Sequence, residues 1–114
     1  MQVVKFLDIV LPEGALRHHS PNEGMHKAHY RAKQSRLGML SGWPDLELIV
    51  PTKGFKKKVR PAPIFIELKS ATGRLSDNQK VVLQKLDEAG AYTMVCRSVA
   101  EVADFLKGLL KIKC

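Results

Sequence analysis

Residues 64–69, near the middle of the chain, restrict the possible folds more than any other stretch. Their sequence is Ile-Phe-Ile-Glu-Leu-Lys, and β-branched and aromatic residues of this kind favour a strand. Because side chains on a strand alternate between its two faces, Phe65, Glu67 and Lys69 are expected on one face and the aliphatic residues on the other. Charged side chains are rarely buried unless they are paired, bound to a metal or functional. A core strand that ends in an acid and a base therefore indicates a functional site.

A second acid, Asp45, precedes another β-rich run at residues 46–50. A glycine and a proline come just before it, which is typical of a turn that opens a strand. If this run and the first one pair as a hairpin, Asp45 lies beside Glu67 and Lys69. We therefore expect two carboxylates and a lysine to converge at one end of the two strands.

Two carboxylates and a lysine are the side chains that metal-dependent hydrolysis of phosphodiesters requires. Carboxylate oxygens bind Mg²⁺ or Mn²⁺ and leave coordination positions for water and a substrate phosphate. The bound ion activates that water, and a lysine ammonium can orient it. The pattern predicts Asp45 and Glu67 as catalytic ligands of Mg²⁺ or Mn²⁺, and Lys69 as the catalytic residue that positions the attacking water.

The residues around these three resemble one family of nucleases. Pro44-Asp45 followed by Glu67-Leu68-Lys69 resembles the PD-(D/E)xK signature, and the fuller pattern resembles the VRR-NUC branch of that superfamily, over residues 22–102. The positions that carry this fuller resemblance are Gly42-Trp43-Pro44-Asp45, Phe65-Ile66-Glu67-Leu68-Lys69, Gly73, Leu75-Ser76 and Gln79.

The resemblance implies a restriction-endonuclease-like core. The order of the predicted elements implies an α/β fold of two or three layers, in which helices flank a small mixed β-sheet, and the length implies a single domain covering residues 1–114. The resemblance also implies that the backbone carbonyl of Leu68 is a further metal ligand and that Gln79 supports the active site. The local sequence offers Gln79 a second role, because it ends a helix capping box that begins at Ser76. The two roles are compatible, since a helix N-terminus also favours a phosphate.

One acid of the family's metal site has no obvious counterpart in this chain. In the family the first helix usually contributes an acid near its start, whereas this chain has Gln2 there and Asp8 late in the predicted helix. Three explanations stay open. The acid is lost, Glu23 substitutes for it as a metal ligand, or a partner subunit supplies it.

The resemblance implies a metal-dependent, structure-specific endonuclease that hydrolyses phosphodiester bonds in branched DNA such as four-way (Holliday) junctions. A chain this short can carry one active site, so cutting both strands requires two copies, and we expect a homodimer with Phe105 as a candidate contact. The alternative is a non-catalytic module that binds branched or single-stranded DNA, which the missing acid favours. A restriction-type enzyme for linear duplex DNA ranks last, because no element for reading base edges is evident.

A net charge of +8 and a pI of about 9.7 make a polyanion the expected partner, although charge alone is equally compatible with a merely soluble basic protein. The charge is concentrated in a mostly polar helix predicted over residues 23–37 and in the hairpin loop at residues 51–61. In that loop Phe55 is predicted to be exposed on a flexible arm and to stack on an unpaired base. The candidate DNA-binding residues are Lys27, Arg31, Lys33, Arg36, Lys53, Lys56, Lys57, Lys58 and Arg60.

The remaining patterns complete the order helix, helix, strand, strand, helix, strand, helix. A first helix is expected over residues 2–11 and a polar loop over residues 17–24. Residues 92–96 are predicted to form a strand that is central to the core. A second capping box, from Ser98 to Glu101, is predicted to open the last helix.

Two cysteines, one of them at the terminus, do not form a disulfide framework. No apolar segment approaches the ~20 residues of a membrane span, and the N-terminus lacks the pattern of a signal peptide. We therefore expect a cytoplasmic protein without a membrane partner. The resemblance to stand-alone members of the family implies a bacterial or phage-encoded protein.

Overall fold

The computed structural model describes residues 2–20 and 41–112. In chain order, these contain helix α1 (Gln2–Val10), strand β1 (Leu16–His19), strand β2 (Leu46–Ile49), a 3-10 turn (Thr52–Gly54), strand β3 (Ile64–Leu68), helix α2 (Asp77–Glu88), strand β4 (Tyr92–Cys96) and helix α3 (Val99–Leu109). The strands form one mixed sheet in the order β1-β2-β3-β4, in which β3 and β4 are parallel and the other neighbours are antiparallel. The predicted α/β class, a small mixed sheet with flanking helices, is confirmed.

The hydrophobic core lies on the face of the sheet that carries the even-numbered residues of β2 and β3. Leu46 pairs with Ile66 and Leu48 with Ile64, and all four side chains are fully buried. Helices α1 and α3 add to the same core cluster Val3, Leu7, Val102 and Leu106. Because side chains alternate along a strand, this packing directs Glu67 to the opposite face of β3.

The structure corrects the predicted polar loop over residues 17–24. Its first part belongs to β1, which pairs antiparallel with β2, and the Ser20 amide donates to the Asp45 carbonyl at 2.7 Å. The sequence Leu-Arg-His-His gave no strand signal because none of the side chains of β1 is fully buried and the strand is held through its backbone. The rest of the predicted loop, and the helix predicted over residues 23–37, lie outside the described residues.

Residues 92–96 form the predicted strand, β4, but the prediction that this strand is central to the core is wrong. Within the part of the chain that the structure describes, β4 pairs with β3 alone and forms an edge of the sheet, and Met94 is 41% exposed. The strand is nevertheless apolar because it contacts both α2 and α3. The sequence pattern identified the strand, but it did not identify its place in the sheet.

Both later helices begin at the predicted serine. At α2 the Ser76 hydroxyl accepts from the Gln79 amide at 3.1 Å and the Gln79 side chain accepts from the Ser76 amide at 2.8 Å, so the capping box is complete. At α3 the Ser98 hydroxyl accepts from the Glu101 amide at 3.1 Å. The Glu101 carboxylate, however, accepts from the amide of Arg97 at 2.6 Å, one residue earlier than the predicted box requires.

The connection between β2 and β3 is not the flexible arm that we predicted. Phe55 is only 3% exposed and belongs to the core cluster, and it forms an isolated bridge with Leu110 after α3. The amide of Lys56 donates to the Leu109 carbonyl at 2.9 Å, and the amide of Lys111 to the Gly54 carbonyl at 2.8 Å. Phe55 therefore anchors the connection and is not available to stack on a base, because its burial in the core outweighs the polar character of its neighbours.

Helix α3 also places Phe105, for which we predicted a dimer contact. The side chain is half-buried and packs against the core cluster, so packing within the chain accounts for part of its apolar surface. A contact with a second subunit stays a prediction. No helix within residues 2–20 and 41–112 has the length and apolar character needed to cross a membrane.

Replacing Phe55 with alanine should lower the free energy of unfolding by about 3–5 kcal/mol, as for other buried aromatic side chains. Lys57→Ala, an exposed change in the same connection, should shift it by no more than about 0.5 kcal/mol. Urea unfolding of the two variants measures both values. Equal stability of the two variants would contradict the anchored connection.

Candidate active site

The pairing of β2 with β3 brings the first acid to the second. Leu46 is the register partner of Ile66, and one step further along the antiparallel pair Asp45 stands opposite Glu67. The Oδ2 atom of Asp45 accepts a hydrogen bond from the Leu68 backbone amide at 2.8 Å. This bond turns the Asp45 carboxylate toward β3 and fixes it beside Glu67.

Glu67 is the centre of the site and is only 2% exposed. Its Oε2 atom lies 3.8 Å from the Lys69 ammonium and 3.3 Å from Nε2 of Gln79, which donates to it. The structure thus brings together all four candidate catalytic residues, Asp45, Glu67, Lys69 and Gln79. Their chemical roles stay predictions.

The protonation of Glu67 follows from its surroundings. Burial, together with the adjoining side chain of Asp45 and its negative charge, raises the pKa of the Glu67 carboxyl to about 8, although the positive charge of Lys69 acts in the opposite direction. Two carboxylates this close cannot easily both carry a charge in a buried place. Near neutral pH, the Glu67 carboxyl therefore retains its proton.

The other oxygen of Glu67 gives the site its capacity for a cation. Oε1 is buried and has no hydrogen-bond partner among the described residues, and leaving such an oxygen unsatisfied is unfavourable. A divalent cation satisfies this oxygen and also offsets the repulsion between the two acids. The pair of hard oxygen donors therefore fits Mg²⁺ or Mn²⁺.

The ligand set within the described residues is small. No group of three or more histidine, cysteine, aspartate or glutamate side chains there is arranged to hold a metal. Asp45 and Glu67 would need oxygens from the backbone, from water or from substrate to complete a shell of six. Leu68 lies directly between Glu67 and Lys69, so its carbonyl stays a candidate, and Glu23 lies outside the described residues.

Gln79 makes both contacts that its sequence position allows. Its Oε1 atom accepts from the Ser76 amide at 2.8 Å, and this leaves Nε2 to donate to Glu67 at 3.3 Å. The capping box thus decides which way the amide faces. The capping box, which is a structural motif in the sequence, therefore orients Gln79 Nε2 toward the Glu67 carboxylate.

The turn before Asp45 is pressed against the start of α2. Gly42 has a φ of +86°, and a Cβ at this position would stand 2.6 Å from the Asn78 carbonyl carbon and 2.8 Å from the Gln79 nitrogen. The Asn78 side chain also donates to the Ser41 hydroxyl at 3.0 Å. Only glycine permits this approach and this φ, so the turn that carries Asp45 is locked to the helix that carries Gln79.

Aromatic packing supports the same turn from the sheet. The rings of Trp43 and Phe65 meet edge to face, with centroids 5.4 Å apart and an angle of 87° between the planes, an arrangement that aromatic pairs favour. Phe65 precedes Glu67 by two residues and shares its face of β3. Trp43 thereby ties the turn to the strand that carries the buried acid.

Sequence reasoning missed one residue at this edge of the sheet. The Arg97 guanidinium donates to the carbonyls of Ser70 and Gly73, at 2.7 and 2.6 Å, and so braces the turn that follows Lys69. A single arginine after a strand carries no recognisable motif. Only the parallel pairing of β3 with β4, which brings Arg97 beside Lys69, could have indicated it.

The candidate DNA-binding residues fall into two groups. The five in the β2–β3 connection are exposed, but Arg60 also donates to the Gly90 carbonyl at 2.7 Å and lies 5.6 Å from the centre of the Tyr92 ring. This connection begins at the end of β2 that is far from Asp45. At the rise of about 3.4 Å per residue in a strand, its start lies about 17 Å from Asp45. The other four, Lys27, Arg31, Lys33 and Arg36, lie outside the described residues.

Comparison with known proteins identifies the family. The VRR-NUC domain matches residues 13–100, most of the chain, so this protein belongs to the VRR-NUC family. The family comprises nuclease-type domains that act on DNA. The resemblance drawn from the motif around Asp45 and Glu67 is confirmed.

A solved structure shows the same fold. A chain described as a VRR_NUC domain protein matches with a TM-score of 0.56 and 24% sequence identity, over 80% of this chain and 64% of that one. At this identity the likeness establishes the fold, which is restriction-endonuclease-like as predicted. The present chain spans less than two thirds of the matched one, and no curated protein has a significantly similar sequence.

The protonation of Glu67 predicts how stability depends on pH when no divalent cation is present. The native carboxyl has a pKa of about 8, whereas an unfolded glutamate has one of about 4.3. Between these values the native state binds more protons than the unfolded state, so raising the pH lowers the free energy of unfolding.

Urea unfolding in EDTA at pH 5, 6.5 and 8 tests this dependence. From pH 5 to pH 8, the free energy of unfolding of the wild-type protein should fall by at least about 1 kcal/mol more than that of Glu67→Gln. The reason is that the amide cannot titrate, whereas the other groups are common to both proteins. Parallel pH profiles for the two proteins would show that the Glu67 carboxyl has an ordinary pKa.

Proposed function

We propose that this protein is a Mg²⁺- or Mn²⁺-dependent endonuclease that cuts branched DNA, such as four-way junctions, as a homodimer. One observation carries the proposal. Glu67 is buried beside the half-buried Asp45, and its Oε1 atom has no hydrogen-bond partner among the described residues, although a lysine and a glutamine lie next to the same carboxylate. Family membership makes DNA the substrate to test.

The metal ligands in this proposal are the Asp45 and Glu67 carboxylates and the backbone carbonyl of Leu68, with Glu23 as a weaker candidate. A divalent cation held there lowers the pKa of a water molecule and offsets charge on the transition state. The Asp45 carboxylate is held in place by the Leu68 amide, and Gln79 holds one oxygen of Glu67. These contacts fix both acids before a cation arrives, which reduces the rearrangement that binding requires.

Lys69 is the candidate for orienting the attacking water. Its ammonium lies 3.8 Å from Glu67 Oε2, close enough to attract the carboxylate yet longer than a direct hydrogen bond. The ammonium therefore keeps donors for a water molecule or a substrate phosphate. Positioning by such a group contributes about 10²–10⁴-fold to rates.

The position of the exposed lysines supports an extended contact with the substrate. The β2–β3 connection lies about 17 Å from Asp45, which corresponds to about five nucleotide steps of 3.4 Å. A strand bound at the site could therefore reach the connection along the hairpin. Phosphate contacts there would add affinity without reading sequence, as a structure-specific enzyme requires.

A homodimer follows from the proposed reaction. The described residues of one chain bring together one such pair of acids, Asp45 and Glu67, and a four-way junction is resolved by cuts in two strands. Two copies related by a two-fold axis would present two such sites. Size-exclusion chromatography with light scattering tests this part, and a monomer at the concentrations used for cleavage would contradict it.

A second candidate is a DNA-binding module without catalysis. The first turn of α1 contains no acid, and α1 precedes residues 13–100, which the VRR-NUC domain matches. If neither Glu23 nor a partner subunit supplies a further acid, the cation would be held too weakly for hydrolysis. Such a protein would bind the same branched DNA and leave it intact.

Cleavage of a four-way junction separates these two functions. With Mn²⁺, the wild-type protein should cut the junction, and Lys69→Ala should reduce the rate constant at saturating protein by about 10²–10⁴-fold because the water loses its donor. Lys5→Ala, which also removes one positive charge from an exposed position, should leave the rate unchanged.

Binding measured on the same proteins completes the comparison. Lys69→Ala should still bind the junction, since the change removes one charge from a basic protein. If the wild-type protein and both variants bind the junction but none of them cuts it with Mn²⁺ or Mg²⁺, the protein is the binding module.

The lysines of the β2–β3 connection should act on binding and not on the chemical step. Replacing Lys56, Lys57 and Lys58 together with alanine should weaken junction binding and flatten the dependence of log Kd on log salt by up to about 3, one for each phosphate that a lysine no longer neutralises. Fluorescence anisotropy between 50 and 200 mM salt measures the slope. An unchanged slope would show that the lysines of this connection do not bind DNA phosphates.

A further inference from the structure

The carboxyl ends of β3 and β4 form a common edge next to the two acids. The strands are parallel and in register, with Glu67 beside Val95, and the amide of Lys69 extends the ladder by donating to the Cys96 carbonyl at 3.0 Å. The residue that follows β4 is Arg97. Because neighbouring strands are about 4.8 Å apart, Arg97 begins one strand's width from Lys69.

The Arg97 side chain is anchored at this edge. Its Nη1 atom donates to the carbonyls of Ser70 and Gly73, at 2.7 and 2.6 Å, which belong to the turn directly after Lys69. Its own backbone amide donates to the Glu101 carboxylate at 2.6 Å. The guanidinium is therefore held in one orientation at the end of the site strand.

The anchoring uses only part of what the guanidinium offers. A guanidinium carries five N–H donors in a planar fork, and both protein contacts come from Nη1. Within residues 2–20 and 41–112, the ion pairs are Arg17 with Asp8 and Lys69 with Glu67. The Arg97 guanidinium therefore forms no direct ion pair with a described carboxylate, although Glu101 and Asp104 line the same cavity. The residue is exposed, and the donors on Nε and Nη2 face no described acceptor.

We propose that Arg97 binds a DNA phosphate next to the one that is cut. An oriented guanidinium with free donors and no direct ion pair is well suited to a phosphate, which it can bind through two parallel hydrogen bonds. The proposal rests on the proposed function for the path of the DNA past Lys69. Arg97 would fix the position of the strand relative to the two acids, and it would not read bases.

The competing explanation is that Arg97 only braces the turn after Lys69. Removing a brace would disturb Lys69 and slow cleavage at every substrate, whereas removing a phosphate contact would weaken binding at one phosphate. The two explanations therefore differ in where on the DNA the effect of Arg97 is found.

Single methylphosphonates, which remove the charge of one phosphate, locate the contact. A four-way junction would carry them one at a time at the phosphates nearest the branch point, and anisotropy in EDTA would measure binding without cleavage. Native junction should bind to Arg97→Ala about tenfold more weakly than to wild type, with a salt slope lower by about 1. At one position the methylphosphonate should weaken binding to wild type and have no further effect on Arg97→Ala.

Two further variants control for charge and folding. Lys107→Ala removes one exposed charge from the last turn of α3 and should respond to every methylphosphonate as wild type does. Arg97→Lys keeps the charge but lacks the planar fork in which one nitrogen binds the two carbonyls while the other two face a phosphate, and it should lose several-fold in affinity at the same position. If thermal unfolding shows that Arg97→Ala does not fold, the same measurements are made with Arg97→Lys alone.

Two outcomes would overturn the proposal. One is wild-type affinity of the Arg97 variants for native junction. The other is a loss of affinity that adds to the methylphosphonate effect at every position, which indicates a brace. Cleavage is scored separately with Mn²⁺, so a protein that binds through Arg97 without cutting would refute the proposed hydrolysis and leave the phosphate contact standing.

Discussion

The site depends on an acid that is buried next to another acid. Glu67 is nearly inaccessible, faces Asp45 across the hairpin and keeps one oxygen without a hydrogen-bond partner among the described residues. In the absence of a cation, the arrangement is tolerated because Glu67 retains a proton at neutral pH. A divalent cation would replace that proton. Two carboxylates held close together away from water repel each other when both are charged, and the same closeness lets them bind one cation together.

The rest of the fold keeps this pair in place. The register of β2 with β3 sets Asp45 opposite Glu67, and the close approach of Gly42 to Asn78 and Gln79 locks the turn of one acid to the helix that contacts the other. Gln79 belongs to both structures, since its side chain caps α2 and donates to Glu67. Parts of the chain that are far apart in sequence therefore meet at one carboxylate.

The sequence predicted the elements whose signal is local. The alternation in β3, the hairpin and the cap at Ser76 each follow from short-range patterns, and the motif around Asp45 and Glu67 identified the family. The sequence did not predict β1, because this strand is held through its backbone. It also did not predict that β4 lies at an edge of the sheet, because helices packed on an edge strand make that strand apolar too. Arg97 was missed because its contacts depend on the parallel crossover, which pairs residues about 28 apart, and burial of Phe55 depended on packing with the end of α3.

The most direct test is to locate manganese in crystals soaked with Mn²⁺, by its anomalous scattering. The proposed site predicts one peak between Asp45 and Glu67, with a carboxylate oxygen of each within about 2.0–2.4 Å and Glu67 Oε1 among the ligands. A saturated crystal with no manganese peak at this position would contradict a metal-dependent active site in this protein.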